Sequence, residues 1–246
     1  MPMFSKVITD FWREQMFASA AIGANGDFAV TVNPDLKQDS GVMILEIADG
    51  ATIATLAPAL AAKIGLQSAD APTAAGFRKL LTDAEIALNG ADFLFYFTEA
   101  AKSELLAENN DSRVRRLTAE DAELFAAFES ATPEQDLDDA YVELDHEIVY
   151  GSFDSGALVC AASSYTWAAG DYTREKDSAI SDFGVVTVPE HRGKGHARAA
   201  VRALARHAYA AGLEPQYRCQ LDNAASVALA GKSGLTLFGN WDRIAD

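Results

Sequence analysis

The residues that most constrain the fold lie between positions 185 and 211. A β-branched run at residues 185–188 stops at Pro189, and proline cannot continue the hydrogen bonding of a central strand. A short loop with Gly193 and Gly195 follows, and an alanine- and arginine-rich helical pattern then continues to about residue 211. The segment therefore predicts a strand, a tight turn and the N-terminus of a helix.

A helix that begins directly after two glycines favours an anion as ligand. The first N–H groups of a helix have no partner within it, and here they would point into one small concavity. Gly193 and Gly195 carry no side chain to keep an anion away, and they permit the left-handed backbone such a site needs. The spacing matches neither the P-loop nor the dinucleotide-binding glycine motif. The loop predicts a phosphate or diphosphate ligand, and an ordinary turn without a ligand is the alternative.

Two motifs in this order resemble the GNAT superfamily of acyl-CoA N-acyltransferases. Residues 192–197, Arg-Gly-Lys-Gly-His-Ala, fit its signature Arg/Gln-x-x-Gly-x-Gly/Ala. Residues 223–229, Asn-Ala-Ala-Ser-Val-Ala-Leu, followed by Gly234, resemble its second motif, Asn-x-x-Ser-x-x-Leu with a later Gly-Phe. The resemblance covers residues 113–246 and implies a mixed α/β (α+β) fold, in which helices flank a central sheet that splays to admit CoA.

The elements predicted after a polar break at residues 109–112 agree with that fold. The predicted strands are 114–117, 148–153, 157–167, 180–188, 217–221 and 235–241. The predicted helices are 118–130, one capped by residues 132–134, one that follows the glycine loop (residues 192–195) to about 211, and 224–232. The family usually has a seventh strand. The N-terminal half or a partner subunit supplies it, or it is absent.

Residues 1–112 predict a second, smaller α/β domain, to which the resemblance does not extend. Its predicted helices are 5–20, 53–64 and 74–88, and its predicted strands are 28–32, 42–47 and 93–97. It has no glycine loop, catalytic dyad or metal-ligand spacing. It is either a degenerate copy of the same fold or an accessory domain that covers the acceptor site, and its role is otherwise undefined.

The resemblance implies that acetyl-CoA, or another acyl-CoA, binds as co-substrate at the glycine loop. Val186 and Val188 would pair with the pantetheine amides through their backbones, and the Val188 N–H would donate to the thioester oxygen as it becomes an oxyanion. Asn223 is also explained as the N-cap of its helix, and both roles are compatible. The implied cofactor-binding residues are Val186, Val188, Arg192, Gly193, Lys194, Gly195, His196, Ala197, Arg198, Asn223 and Ser226.

The catalytic residues are less well marked. The family often places a carboxylate six residues before the position of Val188, which makes Asp182 the candidate base, unless it lies solvated near the strand's edge. A second candidate group is Glu143, Asp145 and His146. The family's general acid, a tyrosine after the leucine of the second motif, is here Ala230, so Tyr217, Tyr165 or water would have to replace it.

Composition excludes several classes of function. A net charge of −16 disfavours nucleic acid as a partner. No apolar run is long enough for a membrane span, and the charged N-terminus does not suit a signal peptide. The two cysteines, Cys160 and Cys219, lie in apolar runs and indicate a reducing cytoplasm. No zinc-site spacing is present, so no metal is expected.

The leading hypothesis is a cytoplasmic N-acetyltransferase, a monomer or homodimer, in which the primary amine of a small molecule attacks the acyl-CoA thioester directly. The stretch at 134–147 holds seven acidic residues and no lysine or arginine. It would attract a cationic amine, or it is merely a solvated surface. One alternative function is a non-catalytic acyl-CoA-binding regulator or sensor. Another is an interaction domain that has lost the ligand.

Overall fold

The computed structural model describes residues 3–16, 21–36, 41–48, 50–66, 73–109, 111–167 and 178–245. Its strands are β1 (Ala21–Asn25), β2 (Phe28–Val32), β3 (Val42–Ile47), β4 (Thr52–Leu56), β5 (Asp92–Phe97), β6 (Val114–Arg116), β7 (Ile148–Asp154), β8 (Ala157–Thr166), β9 (Ile180–Thr187), β10 (Glu214–Gln220) and β11 (Leu235–Arg243). Its helices are α1 (Lys6–Met16), α2 (Pro58–Lys63), α3 (Ala74–Asp83), α4 (Glu99–Ala107), α5 (Ala122–Ser130), α6 (Glu134–Ala140), α7 (His196–Ala210) and α8 (Ala224–Ser233).

The described strands form one sheet in the order β1-β2-β4-β3-β11-β5-β10-β9-β8-β7-β6. Helix α7 packs on β7, β8 and β9, because its Ala200, Val201, Leu204 and Ala208 make one buried apolar face. This arrangement confirms the mixed α/β fold with helices on a large splayed sheet. Within the described ranges, no helix is both long and apolar enough to cross a membrane.

Most elements predicted after residue 112 are confirmed within a few residues. Thr118 forms the predicted capping box with Asp121 at a 3-10 turn before α5. At α6 the N-cap is Pro133, and the Thr132 hydroxyl instead donates back to the Phe128 carbonyl at 2.8 Å. Strand β10 begins at Glu214, three residues before the predicted start.

The N-terminal half differs more from its prediction. Residues 53–64 are not one helix, because β4 occupies the first part between β2 and β3 and α2 begins only at Pro58. The helix predicted for 74–88 ends at Asp83, before Glu85 turns into a left-handed conformation (φ 56°). Strand β1 and helix α4 were not predicted. Residues 17–20 of the predicted first helix lie outside the described residues.

Strand β5, from the N-terminal half, lies in the middle of the sheet. It pairs antiparallel with β10 through Phe95 and Tyr217, and with β11 through Phe95 and Leu237. Of the two sources considered for the family's seventh strand, the N-terminal half is therefore the one observed. The division of the chain at residue 112 stays a prediction, and the sheet runs continuously across it.

The sheet splits between β9 and β10. These strands pair in parallel from Ile180 with Glu214 as far as Phe183 with Tyr217. Beyond that point β9 continues against β8 alone, and β10 continues against β5. The Phe183 and Tyr217 rings stack at the fork, 5.0 Å apart and nearly parallel. One edge of each strand is consequently left without a strand partner, which is the splay that the resemblance implied.

Replacing Gly184 of β9 with alanine is expected to destabilise the fold, because a Cβ there would lie 1.7 Å from the Ala140 carbonyl oxygen at the end of α6. Backbone cannot yield as a side chain does, so we expect the free energy of unfolding to fall by about 3 kcal/mol. The control is Gly231→Ala in α8, where a Cβ has open space and should stabilise by about 0.5–1 kcal/mol. Urea unfolding measures both. Equal midpoints for Gly184→Ala and wild type would contradict the close approach of α6.

Candidate active site

A cleft of about 700 Å³ lies where β9 and β10 diverge. Its other walls come from the end of α6, the glycine loop, the start of α7 and one side of α8. It brings together most of the predicted site residues, namely Asp182, Val186, Arg192, Gly193, Gly195, His196, Ala197, Arg198, Asn223 and Ser226. Of the predicted set, Val188 and Lys194 are not among the described residues that line it.

The glycine loop has the backbone that its sequence predicts. Gly193 and Gly195 are left-handed, with φ of 74° and 85°, and a Cβ at either would have nothing within 4 Å. The requirement for glycine there is thus conformational, and the space around the loop is open. The Ala199 N–H donates to the Gly195 carbonyl at 3.1 Å, so the earlier N–H groups of α7 have no carbonyl of the helix to bond.

The backbone of β9 corrects the predicted roles of Val186 and Val188. The Val188 N–H donates to the Val159 carbonyl of β8 at 3.0 Å, so it points away from the cleft and is not a free oxyanion donor. The backbone N–H and carbonyl groups of successive residues point alternately to the two sides of a strand. Val186 is two residues from Val188 and pairs with Ala161 of β8, so its N–H and carbonyl also point towards β8. The groups directed towards the cleft are those of Val185 and Thr187.

Some arginines near the glycine loop lie at the cleft, and another binds the end of a neighbouring helix. Arg192 donates to the Asp136 carboxylate at 2.6 Å and to the Thr187 carbonyl at 3.1 Å. Arg198 lines the cleft. One turn further along α7, Arg202 donates two hydrogen bonds to the carboxylate of Glu108, the C-cap residue of α4, so the arginines of α7 serve packing as well as the cleft.

The second motif lies at the start of α8. The Asn223 Oδ1 accepts from the Ser226 N–H at 3.0 Å, which confirms the N-cap role, and contact of either residue with CoA stays a prediction. Burial raises the pKa of Tyr217 to about 12, against a smaller lowering by a hydrogen bond with Ser226. Ala230 is completely buried.

Asp182 is buried, and both of its oxygens accept hydrogen bonds. Oδ2 accepts from two nitrogens of Arg218 at 2.6 and 2.9 Å and from the Tyr165 hydroxyl at 3.3 Å. Oδ1 accepts from Gln216 Nε2 at 3.0 Å. The interpretation that Asp182 is solvated at a strand edge is wrong. Protonating this carboxylate would leave the Arg218 charge without its closest partner, so the geometry disfavours Asp182 as the base.

A buried chain of hydrogen bonds ties this carboxylate to the N-terminal half. The Trp12 Nε1 of α1 donates to the Tyr96 hydroxyl of β5 at 2.8 Å. Tyr96 in turn donates to the Gln216 side chain, whose amide holds Asp182. Burial raises the pKa of Tyr96 well above its ordinary value, so this phenol remains a donor. The N-terminal half therefore helps to fix the orientation of Asp182.

Asp92 is a cleft residue that the sequence analysis missed. It begins β5, lines the cleft, and lies 3.4 Å from the Arg218 guanidinium. Burial is the main cause that raises its pKa; Arg218 lowers it, and the neighbouring Asp182 and Asp242 raise it further. No local pattern marks Asp92, because only the pairing of β5 with β10 brings it to the cleft.

His146 belongs to the second candidate group for the base and lies just behind the cleft. Its Nδ1 is 2.8 Å from Ser163 Oγ, and its ring is 5.3 Å from that of Tyr165, which lines the cleft. Burial lowers the pKa of His146 and raises that of Tyr165 to about 12. Of the described residues that line the cleft, none is Glu143, Asp145 or His146.

Comparisons with known proteins give the following. The sequence model of the acetyltransferase (GNAT) family matches residues 113–235, half of the chain. A GNAT acetyltransferase from Colwellia psychrerythraea is 18% identical, with a TM-score of 0.49 over 69% of this chain and 61% of that one. A protein assigned to the same family from Novosphingobium aromaticivorans is 17% identical, with a TM-score of 0.44 over 64% and 65%.

A third solved structure, an aminoglycoside N-acetyltransferase in complex with CoA, is 19% identical. Its TM-score is 0.38 over 49% of this chain and 89% of that one. The chain thus spans less than two thirds of the length of the first two solved structures. No curated protein matches the sequence.

Proposed function

The chain belongs to the acetyltransferase (GNAT) family, and on that premise we propose that it transfers an acetyl group from acetyl-CoA to the primary amine of a small molecule. The observation that carries the proposal is the cleft between β9 and β10, with the glycine loop at its edge. Its strand edge, helix N-terminus and buried carboxylates suit an extended anionic thioester and an amine.

The glycine loop supports binding of the CoA diphosphate. Its two left-handed glycines leave open space in front of the first N–H groups of α7, and oriented N–H groups at a helix N-terminus bind phosphate well. Arg198 adds a positive charge to the lining. Lys194, within the loop, is exposed and is proposed as a second cation for the phosphates.

The backbone of β9 supports the rest of the co-substrate. In this reaction the thioester supplies an activated carbonyl, which an uncharged amine attacks with release of the thiol. Val185 and Thr187 replace Val186 and Val188 as the proposed partners of the pantetheine amides and the thioester oxygen, since their backbone groups are the ones directed towards the cleft. Donors fixed in this way stabilise negative charge without reorganising.

Asp92 is the proposed general base. It lines the cleft, and its bond to Arg218 at 3.4 Å is longer than the 2.6 Å bond that Asp182 makes. Asp182 therefore neutralises Arg218, which leaves Asp92 free to take the ammonium proton. Burial raises the pKa of Asp92, and a carboxylate shifted upwards is better matched to proton transfer near neutral pH.

The acceptor is proposed to be a cationic amine. Asp139 of the acidic stretch lines the cleft on the α6 side, opposite the strand that carries Asp92. Carboxylates on two walls favour entry of an ammonium group. The buried Ala230 occupies the position of the family's tyrosine, so the leaving thiolate is proposed to take its proton from water or from Tyr217.

The test is thermal unfolding with acetyl-CoA, followed by assay of free-thiol release with a panel of small primary amines. Acetyl-CoA at 100 times its dissociation constant should stabilise the protein by about 2.7 kcal/mol, which is a midpoint shift of roughly 5–11 °C at this chain length. A shift with amine-dependent thiol release supports the transferase. A shift without release from any amine would favour the acyl-CoA sensor, for which the missing tyrosine argues. No shift in a cooperatively folded protein would contradict both.

A further inference from the structure

Three potential metal ligands converge behind the glycine loop. Asp154 ends β7 at the turn before β8, His191 precedes the loop, and His196 begins α7. One ligand atom from each lies within 4.8 Å of the other two. The turn between β7 and β8 meets the glycine loop. This brings Asp154 close to two histidines that follow it in the sequence by 37 and 42 positions.

The contact between Asp154 and His191 is unusual for a pair of polar groups. The His191 Nδ1 lies 3.2 Å from Asp154 Oδ2, yet this buried nitrogen makes no hydrogen bond with any residue that the structure describes. A cation bound between these two atoms would give both of them a partner. A buried nitrogen left without a partner is otherwise costly.

His196 is oriented in the way that metal-binding histidines are. Its Nδ1 lies 2.9 Å from the buried Ser152 hydroxyl, which leaves Nε2 as the ligand atom. A fixed hydrogen bond to one ring nitrogen selects the tautomer and aims the other at a metal.

The surrounding charge is compatible with a cation. Arg113 lies near His196, and Asp111 holds its guanidinium through two hydrogen bonds, at 2.7 and 3.1 Å. Its Nη1 points to the Lys194 carbonyl at 3.5 Å. The positive charge of Arg113 is thus offset by Asp111, and Asp154 remains to neutralise an added ion.

We propose that Asp154, His191 and His196 bind one divalent transition-metal ion of the Zn²⁺ class, which fastens the β7–β8 turn to the base of the glycine loop. Two imidazoles and one carboxylate favour Zn²⁺ over Mg²⁺, which prefers oxygen ligands. Tetrahedral ligands at about 2.0–2.2 Å from the ion stand about 3.4 Å apart. The ligand atoms now lie within 4.8 Å of one another. The Asp154 side chain is 41% exposed and the His191 side chain 28% exposed, so both can move to reach the tetrahedral spacing.

A fourth ligand position would remain open, since the residues that the structure describes supply three. Both histidines also line the cleft, so the proposed metal site adjoins the region proposed for the CoA phosphates. Binding of the metal does not require acetyl-CoA, however, and the inference holds whether or not the proposed acetyl transfer is correct. No metal was expected from the sequence, since no zinc-site spacing is present; the three residues come together only in the fold.

The test uses full-length protein without an affinity tag, stripped with a chelator and dialysed. We expect one Co²⁺ per chain by titration of its visible absorption, displaced by Zn²⁺ and not by Mg²⁺. His191→Ala and Asp154→Ala should each weaken Co²⁺ binding by about 100-fold or more, since even outer-shell changes cost about 10–100-fold. The matched control is His207→Ala. This residue is also on α7, bonded to the Tyr150 hydroxyl, and its loss should leave binding unchanged.

Thermal unfolding supplies a second readout. Zn²⁺ should raise the unfolding midpoint of wild type and His207→Ala, and it should leave the midpoint of His191→Ala unchanged. Both ligand variants alter partly exposed side chains, so they are expected to fold, which far-UV circular dichroism checks. The inference is overturned if wild type takes up no stoichiometric Co²⁺. Equal binding by wild type and His191→Ala, or equal loss in His207→Ala, would overturn it as well.

Discussion

Gly195→Asp is expected to weaken acetyl-CoA binding severely while the protein still folds. Gly195 is the N-cap of α7, and the space where its side chain would project is open. A carboxylate there would stand among the N–H groups proposed to hold the CoA diphosphate. Two like charges about 4 Å apart repel by about 4 kcal/mol at an effective dielectric constant of 20, so we expect an affinity loss of roughly 1,000-fold.

Two further variants separate charge from backbone strain. Gly195→Ala imposes a Cβ on the same left-handed residue without adding charge, and it should weaken binding less. Gly212→Asp is the matched control, because Gly212 has a similar φ of 80° and open space but stands beyond the other end of α7. Calorimetric titration with acetyl-CoA measures all three. Similar affinity in Gly195→Asp and Gly212→Asp would show that the diphosphate binds elsewhere.

Asp92→Asn is expected to lower kcat by about 100- to 10,000-fold, which is the usual contribution of a general base. The KM for acetyl-CoA should change little, because Asp92 is on β5, away from the glycine loop. Wild-type activity should fall as the pH drops through the raised pKa of Asp92, since a base must be deprotonated. The variant's low residual rate should not show that decline.

Stability provides the control for this substitution. Burial raises the folded-state pKa of Asp92, so its ionised form costs folding free energy at pH values above its ordinary pKa. Asparagine removes that cost, and the variant should be no less stable than wild type near neutral pH. Asp242→Asn is the matched control, because burial also raises the pKa of Asp242 although it does not line the cleft. Equal kcat for Asp92→Asn and wild type would exclude Asp92 as the base.

Local patterns were enough to predict the glycine loop and the elements around it. Gly193 and Gly195 have positive φ, and residues near them in sequence form the strand and helix on either side. Strand β4 was mistaken for helix because four of its five residues are buried. A strand buried on both faces loses the alternation that identifies strands.

The chemistry of the cleft was harder to predict. Asp182 lies ten residues before the glycine loop in the sequence, and whether its side chain is exposed to solvent was left open. The answer depends on Arg218, which contacts it from a strand more than thirty residues later. Asp92 reaches the same arginine from the other half of the chain. No periodicity or spacing in the sequence indicates these two contacts with Arg218, because they arise only when strands that are far apart in the sequence pair with one another.

The central position of β5 also governs the order in which the protein can be assembled. A ribosome makes residues 92–97 early, but β11 is complete only at residue 243. At about 5–20 residues per second this leaves β5 without one of its neighbours for roughly 7–30 s. An apolar strand with open edges is prone to intermolecular pairing, and pairings so distant in sequence form slowly. Synthesis of this chain therefore includes an interval in which nascent β5 has neither β10 nor β11 to pair with.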